Sequence, residues 1–452
     1  MFFKRKIYQT LLDWKTHSNG KTALLIEGAR RIGKSTIAEH FAQEEYRSYL
    51  LIDFNNADAA VKDAFENHLT NLDDFYMILS AVYGKTLYPR DSLIIFDEVQ
   101  QFPKARQTIK YLVADGRYDF IETGSLISIR ENVKNISIPS EEQKIKMYPM
   151  DFEEFADALG EQPLIAYIKL CFQEKKPLSE AMHHKAMLLF KQYMLIGGMP
   201  MPVARFLESG KMFEAADLEK RLILNLYRED IRKIDRKYQA RVQMVFDQMP
   251  AFLSKHEKRV NLSSLESDSR FDDYEDSFFW LSDSMIANEC FNCQDPNVGL
   301  SINEDRTFIK CYMGDTGLLV SHAFNEKEIA EGELYKQILY DNLSVNEGML
   351  FENAIAQCLV ASGYQLYFYT RYNKEKHRND IEIDFLISNG SKTKPKIFPI
   401  EVKSGKRYTI KSLERFSEVF HQRIGGAYVI HTKNLSWKNS ILYLPAYMAF
   451  CL

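Results

Sequence analysis

The period of the apolar positions changes several times along the chain, and each change predicts an element. Ile7, Leu11, Leu12 and Trp14 share one side of a helix that ends at Ser18-Asn19-Gly20. Ala23 to Glu27 is a short apolar run of buried-strand type, and Thr36 to Ala42 returns to helical spacing. Tyr49 to Phe54 reads as a second strand, followed by a helical pattern from about Ala57 to Tyr83. Asp91 to Glu98 is a third strand, Pro103 opens a helix through Leu112, and Tyr118 to Ser125 is a fourth strand ending in small polar residues. Such alternation predicts an α/β fold: a parallel sheet with helices on both faces and ligands at the carboxyl ends of the strands.

The turn after the first strand reads Gly28-Ala29-Arg30-Arg31-Ile32-Gly33-Lys34-Ser35-Thr36 and matches the P-loop pattern at every fixed position. Gly28 and Gly33 let the backbone aim its N–H groups at a polyphosphate, and the helix opening at Lys34 adds the positive end of its dipole. Lys34 is expected to reach the β- and γ-phosphates of ATP and Ser35 to hold Mg2+. Arg30 and Arg31 either touch phosphate or stand solvated on the loop rim. The third strand ends in Asp97-Glu98, the arrangement of a Walker B strand.

Composition narrows the class. At 452 residues the expectation is about three domains, and 46% hydrophobic with 27% charged residues is an ordinary soluble globular mixture. A net charge of -4 means that any nucleic-acid binding must come from local basic patches. Six scattered cysteines are too few for a disulfide framework, which points to a reducing, cytoplasmic setting. Cys290 and Cys293 have the spacing of a zinc half-site that only Cys311 is placed to join; buried thiols are the alternative. No signal-peptide pattern and no stretch of transmembrane length is present, so no membrane partner is expected.

From about Lys144 to Lys233 the pattern turns helical, broken at Gly197-Gly198-Met199-Pro200. Helical spacing continues at Tyr238 to Leu253 and Tyr274 to Met285, then strands are expected at Ala287 to Cys293 and Thr307 to Tyr312. The P-loop, Phe-Asp-Glu-Val-Gln at 96 to 100, Glu-Thr-Gly-Ser at 122 to 125, Gly-Gly-Met-Pro at 197 to 200 and Met-Gly-Asp-Thr-Gly-Leu-Leu at 313 to 319 together resemble the prokaryotic AAA-type ATPases with a C-terminal domain of unknown function, DUF4143-like. The resemblance implies that Asp97 orients magnesium through water, that Glu98 polarises the attacking water, and that Thr123 or Ser125 contacts the γ-phosphate. A helix cap or strand-end turn is the alternative for those last two. No arginine finger is selected among Arg106, Arg117, Arg130, Arg228 and Arg232.

Residues 236 to 325 resemble a winged-helix module, but Asp272, Asp273, Glu275, Asp276 and Asp283 on its helix would repel phosphate, which favours a structural or protein-contact role. The last segment has a helix bearing Glu352, a strand ending near Asp384, and Glu401-Val402-Lys403 on the next strand. This resembles the PD-(D/E)xK nuclease core. Asp384 and Glu401, supported by Glu352, are the expected ligands of Mg2+ or Mn2+, with Lys403 serving phosphodiester hydrolysis; alternate strand residues face one side, which brings Glu401 and Lys403 together. Lys392, Lys394, Lys396, Lys406, Arg407, Lys411 and Arg415 form a local basic band suited to a polyanion. The alternative is a buried salt bridge on an ordinary sheet beside a solvated lysine-rich loop.

The expected domains are an ATPase domain at 1–145, a helical lid at 146–235, a winged-helix-like domain at 236–330 and a nuclease-like domain at 331–452. Three readings follow: an ATPase driving a nucleic-acid-processing domain, with DNA or RNA as partner; an ATP-switched protein whose C-terminal domain binds DNA or a protein without cutting; and a small-molecule phosphotransferase. The third has no need of two further modules after its nucleotide domain.

Overall fold

A computed structural model describes residues 1–124, 140–255, 258, 260, 271–324, 347–373, 375, 377–391, 394–405 and 407–452. Ser125, Arg130, Lys392 and Lys406 lie outside the described residues, and Lys394 lies in a strand whose side chain there is not described. The chain divides into two compact units, residues 2–148 with 283–285, and residues 149–282 with 286–452.

In the first unit α1 (Ile7–Ser18) precedes β1 (Ala23–Glu27), α2 (Lys34–Glu45) and β2 (Ser48–Asp53). The helical stretch after β2 is two helices, α3 (Ala59–Asn67) and α4 (Leu72–Tyr83), because Asn71 caps α4 by accepting the N–H of Asp73. Then come β3 (Ser92–Asp97), α5 (Pro103–Asp115) and β4 (Asp119–Gly124). The five-stranded sheet is parallel in the order β2-β3-β4-β1-β5, where β5 is Glu142–Lys146. Its core is aromatic: Phe65 touches Phe54, Phe75 and Phe96 at ring-centroid distances of 5.6, 5.0 and 5.4 Å.

Strand β5 corrects the expectation that helix begins near Lys144. It is a half-exposed edge strand whose sequence, Glu-Gln-Lys-Ile-Lys, has no apolar run. What anchors it is charge, not hydrophobic burial: Arg106 on α5 grips Glu142 through two bonds of 2.8 Å, both side chains buried. That pairing also removes Arg106 from the arginine-finger candidates.

The second unit begins with helices α6 (Phe152–Ala158), α7 (Gln162–Glu174), α8 (Glu180–Ile196), α9 (Pro200–Glu208), α10 (Phe213–Arg232), α11 (Arg236–Ser254) and α12 (Phe271–Asp283). It continues with β6 (Ala287–Cys293), β7 (Glu304–Met313), α13 (Thr316–Ala323), α14 (Glu347–Ala361), β8 (Leu366–Asn373), β9 (Arg378–Ser391) and β10 (Lys394–Lys403). Helix α15 (Lys411–Val419) and strands β11 (Ala427–His431), β12 (Ser436–Lys438) and β13 (Ile441–Pro445) complete it. One mixed eight-stranded sheet runs β12-β13-β11-β10-β9-β8-β6-β7.

The hairpin β6–β7, expected inside a separate winged-helix-like module, is hydrogen-bonded into this sheet through the parallel pair β6–β8. The division expected at 235/236 falls within one compact unit, and that expected at 330/331 lies outside the described residues. The physical reason is that β6 has a backbone edge on each side and finds partners on both. The two glycine-rich motifs meet here. Asp315 accepts the N–H of Gly198 at 2.6 Å and that of Leu318 at 2.9 Å, and a Cβ on Gly198 would lie 2.0 Å from the oxygen of Met150. Helix α14 is tied to the same junction: Asn353 accepts the N–H of Met313 at 2.8 Å, and Gln357 accepts that of Thr316 at 2.8 Å.

Candidate functional site

The P-loop joins β1 to α2, and close packing dictates its shape. A Cβ on Gly28 would stand 2.5 Å from the oxygen of Met147, so glycine is required where the loop crosses the strap after β5. Gly33 has φ 94° and is the N-cap of α2, with no side chain capping the first turn of the helix. Arg31, exposed, also has positive φ, and Arg30 is half-buried. Ala29 and Ile32 are buried and hold the loop to the core. Thr36 is exposed on the first turn of α2.

Lys34 is buried, and its Nζ donates to the oxygens of Gly28 and Ala29 at 3.0 and 2.9 Å, inside the loop. Burial pushes its ammonium down to about 8, opposed by Glu98 and Asp97. Ser35 Oγ donates to Asp97 Oδ1 at 2.6 Å. The hydroxyl of Thr123, at the end of β4, donates to the same oxygen. Glu98 takes a left-handed conformation just after β3 and accepts from Gln100 at 2.5 Å. P-loop and Walker B residues thus converge at the carboxyl ends of β1, β3 and β4. The donor set of Ser35 and Asp97 is all oxygen, which fits a hard divalent ion such as Mg2+.

Sequence reading missed Arg5. Its buried guanidinium donates to the oxygen of Ile32 at 2.9 Å and to that of Tyr148 at 2.6 Å, pinning the middle of the P-loop. A lone arginine before a helix carries no pattern that would have selected it. The remaining finger candidates in described regions differ in their engagement: Arg117 pairs with Asp115 at 2.7 Å and Asp73 at 2.6 Å, Arg228 lies 3.6 Å from Asp247, and Arg232 is exposed in the last turn of α10.

In the second unit a pocket of 470 Å³ is lined by Glu352, Glu382, Asp384, Glu401, Lys403 and Lys258, among others. The Glu-x-Lys spacing does what strand alternation predicts: Lys403 Nζ lies 2.5 Å from Glu401 Oε1. Burial, then the Asp384 charge, pushes the Glu401 carboxyl up, against the opposing ammonium of Lys403. Glu352 on α14 is different. Burial opposes its charge, but Lys258 and Lys310 overcome this and hold the carboxyl below its ordinary range. Among the described residues no three His, Cys, Asp or Glu side chains are grouped to hold a metal. Glu352 is engaged by Lys258, Lys310 and Tyr312.

Nor, among the described residues, are Cys290, Cys293 and Cys311 grouped to hold a metal. All three are buried free thiols; burial pushes Cys290 and Cys311 well above the ordinary thiol range and Cys293 up to about 11. Of the basic band, Arg415 is paired with Asp380 at 3.0 Å, Lys396 donates to the oxygen of Gln422 at 2.6 Å, and Arg407 and Lys411 are exposed.

Known families match three stretches of the chain. Residues 20–156 match the AAA domain family, and residues 347–447 match the domain of unknown function DUF4143. The chain thus carries an AAA-type P-loop domain followed by a C-terminal DUF4143 domain. Residues 187–328 match a further domain of unknown function, DUF8612. Among solved structures the chain is similar to a Walker-type ATPase of Pyrococcus abyssi, at 14% identity over 72% of this chain and 96% of that one, TM-score 0.43. Another is Cdc6p from Pyrobaculum aerophilum, at 10% identity over 76% and 97%, TM-score 0.27. No curated protein matches the chain. Among the described residues no helix is long and apolar enough to cross a membrane.

Proposed function

We propose that this ATPase hydrolyses ATP with Lys34, Ser35, Asp97 and Glu98, and that nucleotide state governs a nuclease-like C-terminal domain acting on nucleic acid. The observation that carries the first half is the 2.6 Å bond between Ser35 and Asp97, which joins the two halves of a nucleotide site at one point. Ser35 and Asp97 would hold Mg2+, which when bound offsets charge on the phosphate oxygens. Lys34 releases the oxygens of Gly28 and Ala29 to meet the triphosphate. Glu98 orients and accepts a proton from the attacking water. Thr123, on the oxygen of Asp97, is placed to report the γ-phosphate. For the second half, support comes from order: α14, β8, β9, β10, α15 and β11 follow one another with Glu352, Asp384, Glu401 and Lys403 facing one pocket.

The decisive experiment compares wild type with Lys34→Ala and Glu98→Gln. The first should abolish ATP binding, and the second should keep binding while losing turnover by about 10²-fold or more. Wild-type hydrolysis by Glu98→Gln would overturn the role of Glu98. Adding DNA or RNA tests the second half: a rise in ATPase rate or cleavage lost in Asp384→Ala and Lys403→Ala supports it. Lack of response to any polymer favours the second reading, an ATP-switched protein that binds without cutting. That reading draws on the lysines occupying the carboxylate pocket.

A further inference from the structure

Lys310 stands on β7 in the interior of the second unit, only 1% exposed, in register with Cys290 on β6. Its Nζ lies 3.5 Å from Oε1 of Glu352 on α14 and 3.9 Å from Oδ1 of Asp384 on β9. Three elements distant in sequence thus bring two carboxylates that line the pocket together with one buried ammonium that stands behind them. The other atoms are committed as well. Glu352 Oε1 also accepts from the Tyr312 hydroxyl at 2.5 Å, its Oε2 pairs with Lys258, and Asp384 Oδ2 accepts the N–H of Val402 at 2.8 Å.

A buried carboxylate with a second, half-buried one beside it demands a cation. In a metal-dependent site the demand is met by a divalent ion held on oxygens at about 2.0–2.1 Å for Mg2+. Here a side chain meets it. An ion bridging Glu352 and Asp384 would have to displace an ammonium tethered on a strand, or sit against its positive charge.

We propose that Lys310 is the resident cation of this carboxylate cluster, fixed between Glu352 and Asp384, so that Glu352 is not a metal ligand and any divalent ion is confined to the Asp384 and Glu401 edge. Glu401 Oε2, buried and with no hydrogen-bond partner, is the atom left to receive it. The proposal rests on the nuclease-like reading only for the class of ion, and whether nucleic acid is cut does not enter its test.

The test is Mn2+ binding to the nucleotide-free full chain, followed by electron paramagnetic resonance and thermal denaturation, with the Walker site common to every variant. The wild type should bind Mn2+ beyond what the Walker site takes, and that binding should be lost in Asp384→Asn and unchanged in Glu352→Gln. Lys310→Gln should bind Mn2+ at least tenfold more tightly than wild type and be stabilised by it against heat, and adding Glu352→Gln should erase that gain. Folded Lys310→Gln without the gain would overturn the proposal. Weaker Mn2+ binding by Glu352→Gln in the wild-type background would overturn it too, and that arm remains decisive if Lys310→Gln fails to fold.

Discussion

Arg5 donates to the main-chain oxygen of Ile32, so a residue outside the P-loop motif orients the peptide at its centre. In a planar trans peptide the carbonyl and the following N–H point in opposite directions. Holding the oxygen of Ile32 toward Arg5 therefore turns the N–H of Gly33 away from it, toward the concave side where phosphate is expected. Arg5→Ala should weaken ATP binding about tenfold, the range of one hydrogen bond to a charged group, with Arg5→Lys intermediate. Fluorescent-nucleotide titration beside a melting curve separates positioning from mere stability: a lower melting temperature with unchanged affinity would refute it.

Ser35 and Thr123 share one oxygen of Asp97. Asp97→Asn turns that acceptor into an amide and should raise the Mg2+ concentration needed for half-maximal hydrolysis by about 10–100-fold, the usual cost of disturbing atoms around a metal. Ser35→Ala should act in the same direction. A Mg2+ titration at fixed ATP reads this directly, and an unchanged midpoint would remove Asp97 from the metal's surroundings.

Most of the nucleotide site was legible because its chemistry is local. Gly28 to Thr36 is contiguous, and Asp97-Glu98 sits at the end of a strand whose apolar run announces it. Less was legible where charge or distant pairing does the work. Strand β5 has no hydrophobic pattern and is secured by Arg106, 36 residues before Glu142. Arg5 acts through backbone oxygens, which no side-chain pattern reveals. In the second unit the strands at 287 and 307 were readable, but their membership in the C-terminal sheet depends on pairing β6 with β8 across more than 70 residues. Lys310 reaches Glu352 and Asp384 by that route, which no local pattern announces.

Breaking the Arg106–Glu142 pair should destabilise the first unit by about 3–5 kcal/mol, since a buried charge is left alone. Glu122, buried beside Glu142, already has its carboxyl pushed well up by burial and by that neighbour, with Arg106 opposing. Arg106→Ala removes the cation from both acids. Urea denaturation of Arg106→Ala should show the loss, and Arg106→Met combined with Glu142→Leu should recover much of it. An equal loss in the double variant would mean that packing, and not charge, holds β5.

Lys34 gives the site a pH dependence whose sign can be worked out. Burial, opposed by Glu98 and Asp97, sets its ammonium at about 8 in the nucleotide-free chain. The triphosphate needs the charged form, so affinity is full below pH 8 and falls as pH rises through it. At pH 9 about one protein in eleven carries the proton, and binding should be about tenfold weaker than at pH 7. Fold stability moves the other way in this window. The unfolded chain keeps the lysine proton to a higher pH, so it binds more protons than the folded chain, and this group's contribution to stability rises with pH above 8. Nucleotide titrations from pH 7 to 9.5 beside melting curves over the same range distinguish the two. Affinity that stays flat to pH 9.5 while the protein remains folded would mean that Lys34 keeps its proton there, and that Gly28 and Ala29, whose oxygens it holds, stabilise the charge more than burial opposes it.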